Sequence, residues 1–120
     1  MNKVFILGNL TKEPELTTLN GNVSVCKFCI AVKRRTPNVT DYFTVISWRV
    51  LAENCAKYLG KGSKAAVIGE LQNRSYETKD GEKRYVTEII ADEVQFLTGK
   101  NAEKNILQEN QEVLQENLPF

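Results

Sequence analysis

Tyr42-Phe43-Thr44-Val45-Ile46-Ser47-Trp48-Arg49 runs without a break into Val50-Leu51-Ala52-Glu53-Asn54-Cys55-Ala56-Lys57-Tyr58-Leu59, and the period changes at the join. The first stretch is aromatic and β-branched, the composition of a strand. In the second, Leu51, Cys55 and Leu59 recur every four residues with Ala52 and Ala56 beside them, which predicts a helix with one apolar stripe. Glu53 and Lys57 are spaced to pair across one turn of its solvated face. Gly60 is the predicted C′ residue, with Lys61-Gly62 completing the exit.

Strands flank this unit on both sides. Upstream, Val4 to Leu10 reads as a strand, with Gly8 a bulge or a point of close approach. A turn at Thr11-Lys12-Glu13-Pro14 leads to a short returning strand, Glu15 to Leu19, and Asn20-Gly21 has the φ > 0 chemistry of a tight hairpin. Val23 to Lys33 follows, then an exposed loop from Arg34 to Asp41. Downstream, Lys64 to Tyr76 and Arg84 to Phe96 are long strands joined by a projecting arm with Asp80-Gly81 at its tip. The prediction is an all-β fold, a five-stranded OB barrel. Its one short helix lies between the third and fourth strands, and a long hairpin joins the fourth and fifth. The alternative is a small α+β sheet with the helix on one face.

The chain of 120 residues divides into one domain, residues 1–98, and a tail, residues 99–120. Its net charge of +1 conceals an asymmetry. The body carries 14 Lys/Arg against 11 Asp/Glu, whereas the tail carries 2 against 4. So mild a surplus makes the placement of the cations, not the isoelectric point, the basis of any reading as a nucleic-acid binder. Cys26 and Cys29 spell C-x-x-C, but an odd spacing on a strand points the two thiols to opposite faces. With no histidine and no second pair, neither a zinc site nor a thioredoxin-type dithiol is expected. Catalysis lacks the commonest general base, and no Gly-rich phosphate loop is present. No cofactor, no metal and no membrane span are expected. The absence of a secretory signal ahead of three cysteines predicts a reducing, cytoplasmic location.

Strand parity locates a candidate surface. Tyr42 and Trp48 are six residues apart and so share a face, about 20 Å from end to end, while Phe43, Val45 and Ser47 take the core side. The competing reading buries Trp48 in the core, as tryptophans often are. Arg74 and Tyr76 share parity at the start of the projecting arm, and Lys83, Arg84 and Tyr85 answer them from its far limb. A solvated hairpin, with Glu77, Asp80 and Glu82 pairing Lys79 and Lys83, is the plainer account of that arm. Lys33-Arg34-Arg35 borders the face, and Arg49, Lys61 and Lys64 are further candidate cations. Rings that stack on unpaired bases among cations that meet phosphates are what a single strand of nucleic acid requires.

The tail is polar: eleven of residues 101–117 are Asn, Gln or Glu, which predicts disorder. Leu107-Gln108-Glu109-Asn110 recurs one heptad later as Leu114-Gln115-Glu116-Asn117, too few copies for a coiled coil. The end, Leu118-Pro119-Phe120 with its α-carboxylate, has the character of a docking element for other proteins.

Several segments together resemble the homotetrameric bacterial and phage single-stranded DNA-binding proteins. They are Asn2-Lys3-Val4-Phe5-Ile6-Leu7-Gly8-Asn9-Leu10, Trp48-Arg49-Val50-Leu51-Ala52-Glu53, Tyr58-Leu59-Gly60-Lys61-Gly62-Ser63, Gly69-Glu70-Leu71-Gln72-Asn73-Arg74-Ser75-Tyr76 and Arg84-Tyr85-Val86-Thr87-Glu88. The closing Ala91-Asp92-Glu93-Val94-Gln95-Phe96-Leu97 and the Pro-Phe end match as well. The resemblance implies base stacking by Tyr42, Trp48 and Tyr76, and phosphate contacts from Lys61, Arg74 and Arg84. It also implies a nucleoid-associated homotetramer whose first strands pair across subunits. The expected function is sequence-independent binding and protection of single-stranded DNA, with the tip recruiting replication, recombination and repair proteins. The alternative is an accessory protein of replication restart acting mainly through protein contacts. Two departures stand out. Arg34-Arg35-Thr36 replaces an aromatic that many relatives carry after the second strand, which makes contact there more electrostatic. Glu109, Glu112 and Glu116 stand where the family tip is usually Asp-rich.

Overall fold

Alternation of apolar and polar residues along most of the chain forces strands, and the strands close on themselves. The computed structural model describes residues 1–99, so residues 100–120, with the predicted disorder and the Leu118-Pro119-Phe120 tip, lie outside the described residues. In order the elements are β1 (Val4–Leu10), β2 (Glu15–Leu19), β3 (Val23–Lys33), β4 (Thr40–Trp48), α1 (Arg49–Tyr58), β5 (Lys64–Glu77) and β6 (Lys83–Phe96).

Five of the six strands make a ring: β1 pairs with β5, β5 with β6, β6 with β4, β4 with β3, and β3 returns to β1. The β4–β6 contact is parallel, Val45 and Ile46 opposite Ile89 and Ile90, and every other pairing is antiparallel. β2 stands outside the ring as a flap on the first half of β3. This is the predicted five-stranded OB barrel. The short strand Glu15–Leu19 is an addition to it, so the helix follows the third ring strand and the fourth strand of the chain.

The ring closes where backbones approach closely. A side chain at Gly8 would run into the carbonyl oxygen of Ala31, and one at Gly69 into that of Ile90. At Gly69 the β5–β6 register also slips, Ile68 facing Glu93 and Gly69 facing Ala91. The bulge changes the parity of β6, so that Ile89, Ala91 and then Val94 all point inward. Phe28, Ile30, Val45 and Val67 complete the centre, each aliphatic or aromatic chain contributing roughly 1.5–3 kcal/mol by burial.

α1 stops one end of the barrel with its predicted stripe: Ala52, Cys55 and the C-cap Leu59 are fully buried, and Leu51 and Ala56 pack beside them. Its surroundings differ from expectation in two ways. Glu53 and Lys57 do not pair; Glu53 accepts a hydrogen bond from Ser24 at 3.5 Å, and Lys57 lies 5.2 Å from the Tyr58 ring centre. Gly60 is not the left-handed residue, because the buried Ser63 hydroxyl accepts its N–H at 2.9 Å and the chain turns later, at Gly62 (φ 86°). In the β2–β3 connection, too, the positive angles fall on Gly21 and Asn22, one residue beyond the predicted pair.

Gly8→Ala is expected to cost about 1–3 kcal/mol, because the opposing atom is main chain and cannot swing aside. Urea unfolding checks this. A loss under about 0.5 kcal/mol would mean the closure tolerates a methyl group.

Candidate nucleic-acid interface

The antiparallel register of β3 and β4 lays out a face in rows: Val25 opposite Trp48, Lys27 opposite Ile46, Cys29 opposite Thr44, Ala31 opposite Tyr42. Directly opposed residues share a face, and the alternate positions Cys26, Phe28, Ile30, Val45 and Ser47 are buried. Tyr42 and Trp48 therefore point outward, as parity predicted, and Tyr76 does so from β5. Their exposures are 66%, 43% and 48%. Trp48 is not a core residue.

Three hollows follow one another along this face. Beside Trp48 a groove of about 350 Å³ is lined by Lys27, Arg74 and Glu88 among others. Next comes a smaller hollow holding Lys12, Glu13, Glu15, Lys27 and Cys29. At the far end Tyr42 shares a hollow of about 520 Å³ with Lys33 and Lys64. Lys64, distant in sequence, is thus brought beside Tyr42 by the β1–β5 pairing.

The remaining candidates divide into free and committed cations. Arg34 donates to Asp41 from Nε at 2.7 Å and from Nη2 at 2.9 Å. The guanidinium beside Asp41 holds its carboxyl below the usual carboxylate range, so the clasp persists at neutral pH. One charge of the Lys33-Arg34-Arg35 run is therefore already answered, while Arg35 is exposed in the loop. Arg74 is likewise bound to Glu88, and its guanidinium carbon lies 5.9 Å from the Tyr76 ring centre. Arg84 pairs with Glu82 at 3.0 Å. Lys61 is exposed in the turn after α1, its backbone N–H donating to Glu13 at 3.2 Å. Arg49, exposed, opens the helix in the left-handed region (φ 60°), a strained conformation for a long side chain placed directly after Trp48.

The projecting arm is split between two faces. Tyr76 stands opposite Arg84, whereas Tyr85 stands opposite Ser75, and Lys83 lies 5.8 Å from the Tyr85 ring centre on that other side. Arg84 thus joins the Tyr76 face and Lys83 does not. Of the ion pairs that would make the arm a self-neutralised hairpin, none forms between Glu77 or Asp80 and Lys79 or Lys83 among the described residues.

Sequence reasoning missed Lys27 and Lys12. For Lys27 a signal existed. It is the one charge between Val23 and Val32, and it has the parity of Val25 and Ala31, not that of the buried Cys26 and Phe28. Lys12 lies in the turn after β1, and only the β2 flap brings it to the face.

The C-x-x-C pair behaves as parity requires. Cys26 is buried and burial pushes its thiol up to about 11, Cys55 is also raised by burial, and Cys29 sits half-buried on the outer face. Among the described residues no group of three or more His, Cys, Asp or Glu is arranged to hold a metal, and no helix is long and apolar enough to cross a membrane.

A closed five-stranded ring with a helical plug, open on the face of its second and third ring strands, is the architecture of oligonucleotide-binding barrels. Residues 1–97 match the single-strand binding protein family, and the chain belongs to that family. It is 44% identical over 110 residues to single-stranded DNA-binding protein 1 of Staphylococcus aureus strain MSSA476, across 88% of this chain and 70% of the relative. Similarity to the single-stranded DNA-binding protein of Bacillus cereus is 45% identity over 106 residues, covering 84% of this chain and 62% of that one.

Proposed function

We propose that this protein binds single-stranded DNA without sequence preference, holding it unpaired across the β3–β4 face and under the β5–β6 arm. The observation that carries the reading is the outward placement of Tyr42, Trp48 and Tyr76 among cations on one side of the barrel. Rings accept any base by stacking, and the cations answer phosphates whatever the sequence. Lys33, Lys64, Arg84, Arg49, Lys61 and Arg35 are the candidate cations along or beside that path, with Lys83 on the far side of the arm. The role is binding and shielding, not catalysis.

Trp48→Ala and Tyr76→Ala are each expected to weaken oligo-dT binding by about 1–3 kcal/mol, roughly 5- to 150-fold, with little change in tolerance of base sequence. Intrinsic tryptophan fluorescence follows the titration in the Tyr76 variant, and anisotropy of a labelled oligonucleotide serves for both. Wild-type affinity in both variants would remove these rings from the site.

The proposal extends to a homotetramer built through β1. Phe5 and Leu7 are exposed at 70% and 49%, and ahead of Asn9 the β3-side edge of β1 has no partner strand among the described residues. An apolar strand with a free edge is completed by a second copy of itself. Phe5→Asp combined with Leu7→Asp is expected to lower the mass seen by sedimentation to that of smaller species. An unchanged mass would place the contact elsewhere.

Recruitment of replication, recombination and repair proteins through Leu118-Pro119-Phe120 is the last part of the reading, supported by the apolar character of this segment after polar, acid-leaning residues. Deleting these three residues is expected to leave oligo-dT affinity within about twofold, since the stacking rings are untouched, and to abolish partner capture. Loss of DNA binding instead would contradict the division of labour.

A further inference from the structure

The groove beside Trp48 holds an acid as well as cations. Glu88 on β6 is only 5% exposed, and both its oxygens are engaged by one residue. Arg74 donates to it from Nε at 2.7 Å and from Nη2 at 3.3 Å. A buried carboxylate stripped of its only charge partner is strongly destabilising. Arg74 is therefore held to Glu88, and the pair together adds no net charge to the groove. The guanidinium keeps three N–H groups that Glu88 does not engage, and its plane is half-exposed, with the Tyr76 ring centre 5.9 Å from its carbon.

Lys27 is the other cation of the groove. It is exposed on β3, one row along from the Trp48 row, and belongs to no ion pair within 4.0 Å among the described residues. Glu15 stands opposite it on β2 but does not reach it as an ion-pair partner.

We propose that Lys27 neutralises the phosphate of the nucleotide seated against Trp48, while Arg74, held by Glu88, serves as a planar stacking surface. This rests on the reading of the protein as a binder of single-stranded DNA. It reverses the role that family resemblance implies for Arg74 and assigns one to a residue which that resemblance does not mention.

The test is the salt dependence of oligo-dT binding by the full chain. Each phosphate neutralised on a single strand contributes about 0.7 to the log–log slope. Lys27→Gln is expected to make the slope shallower by about 0.7 and to weaken binding several-fold at low salt, and Lys27→Arg to restore both. Arg74→Gln with Glu88→Gln removes both charges while leaving amides that can hydrogen-bond. It is expected to weaken binding at an unchanged slope. An unchanged slope in Lys27→Gln overturns the proposal, as does a slope shallower by about 0.7 in a folded double variant. Lys27 is exposed, so its variants decide its own role even if the double variant does not fold. Failure of the wild-type chain to bind oligo-dT at all would instead sink the functional reading on which this rests.

Discussion

β4 is held along both edges, by β3 from Trp48 through Thr40 and by β6 at Val45 and Ile46, and this clamp decides where every ring on it points. With Val45 and Ser47 committed to the core, Tyr42 and Trp48 have no inward option. A slip of one residue would bury the rings and expose the core positions together, so the same apolar burial that stabilises the barrel also specifies the face. The stability of the fold and the exposure of these two rings are one constraint.

Charge on that face is distributed less simply than a count of basic residues implies. Arg34 is clasped by Asp41, Arg74 by Glu88 and Arg84 by Glu82, whereas Lys27, Lys33 and Lys64 line the hollows without an ion pair among the described residues. The paired arginines are held in place, and lysines carry the mobile charge. A lysine can sweep its point charge through several rotamers, whereas a paired arginine is fixed by its fork.

Most of the barrel was legible in the sequence because its signals are local. Alternation in Tyr42–Arg49 predicted the exposed rings on the strand that the structure runs from Thr40 to Trp48, and the four-residue recurrence of Leu51, Cys55 and Leu59 predicted a helix with its buried stripe. The misses are contacts set by distant partners. Gly60 lost its expected role to Gly62 because Ser63, folded back, accepts the Gly60 N–H; Glu53 ignored Lys57 because Ser24 lies beside it. Lys27 passed unnoticed because its importance depends on two neighbours, Trp48 and Arg74, that join it only when the sheet curls. The parting of Lys83 and Arg84 to opposite faces of the arm is different in kind, since strand parity alone requires it.

By itself the sequence determined the strand parity, the one helix and the hairpin arm, since these follow from periods of two and of about four within short windows. The tertiary structure alone decided which cations remain free. Whether an arginine is spent on a carboxylate depends on registers such as Arg74 against Val86, two positions from Glu88, and register is set by closing the ring. Long-range pairing places charges that local periodicity cannot see.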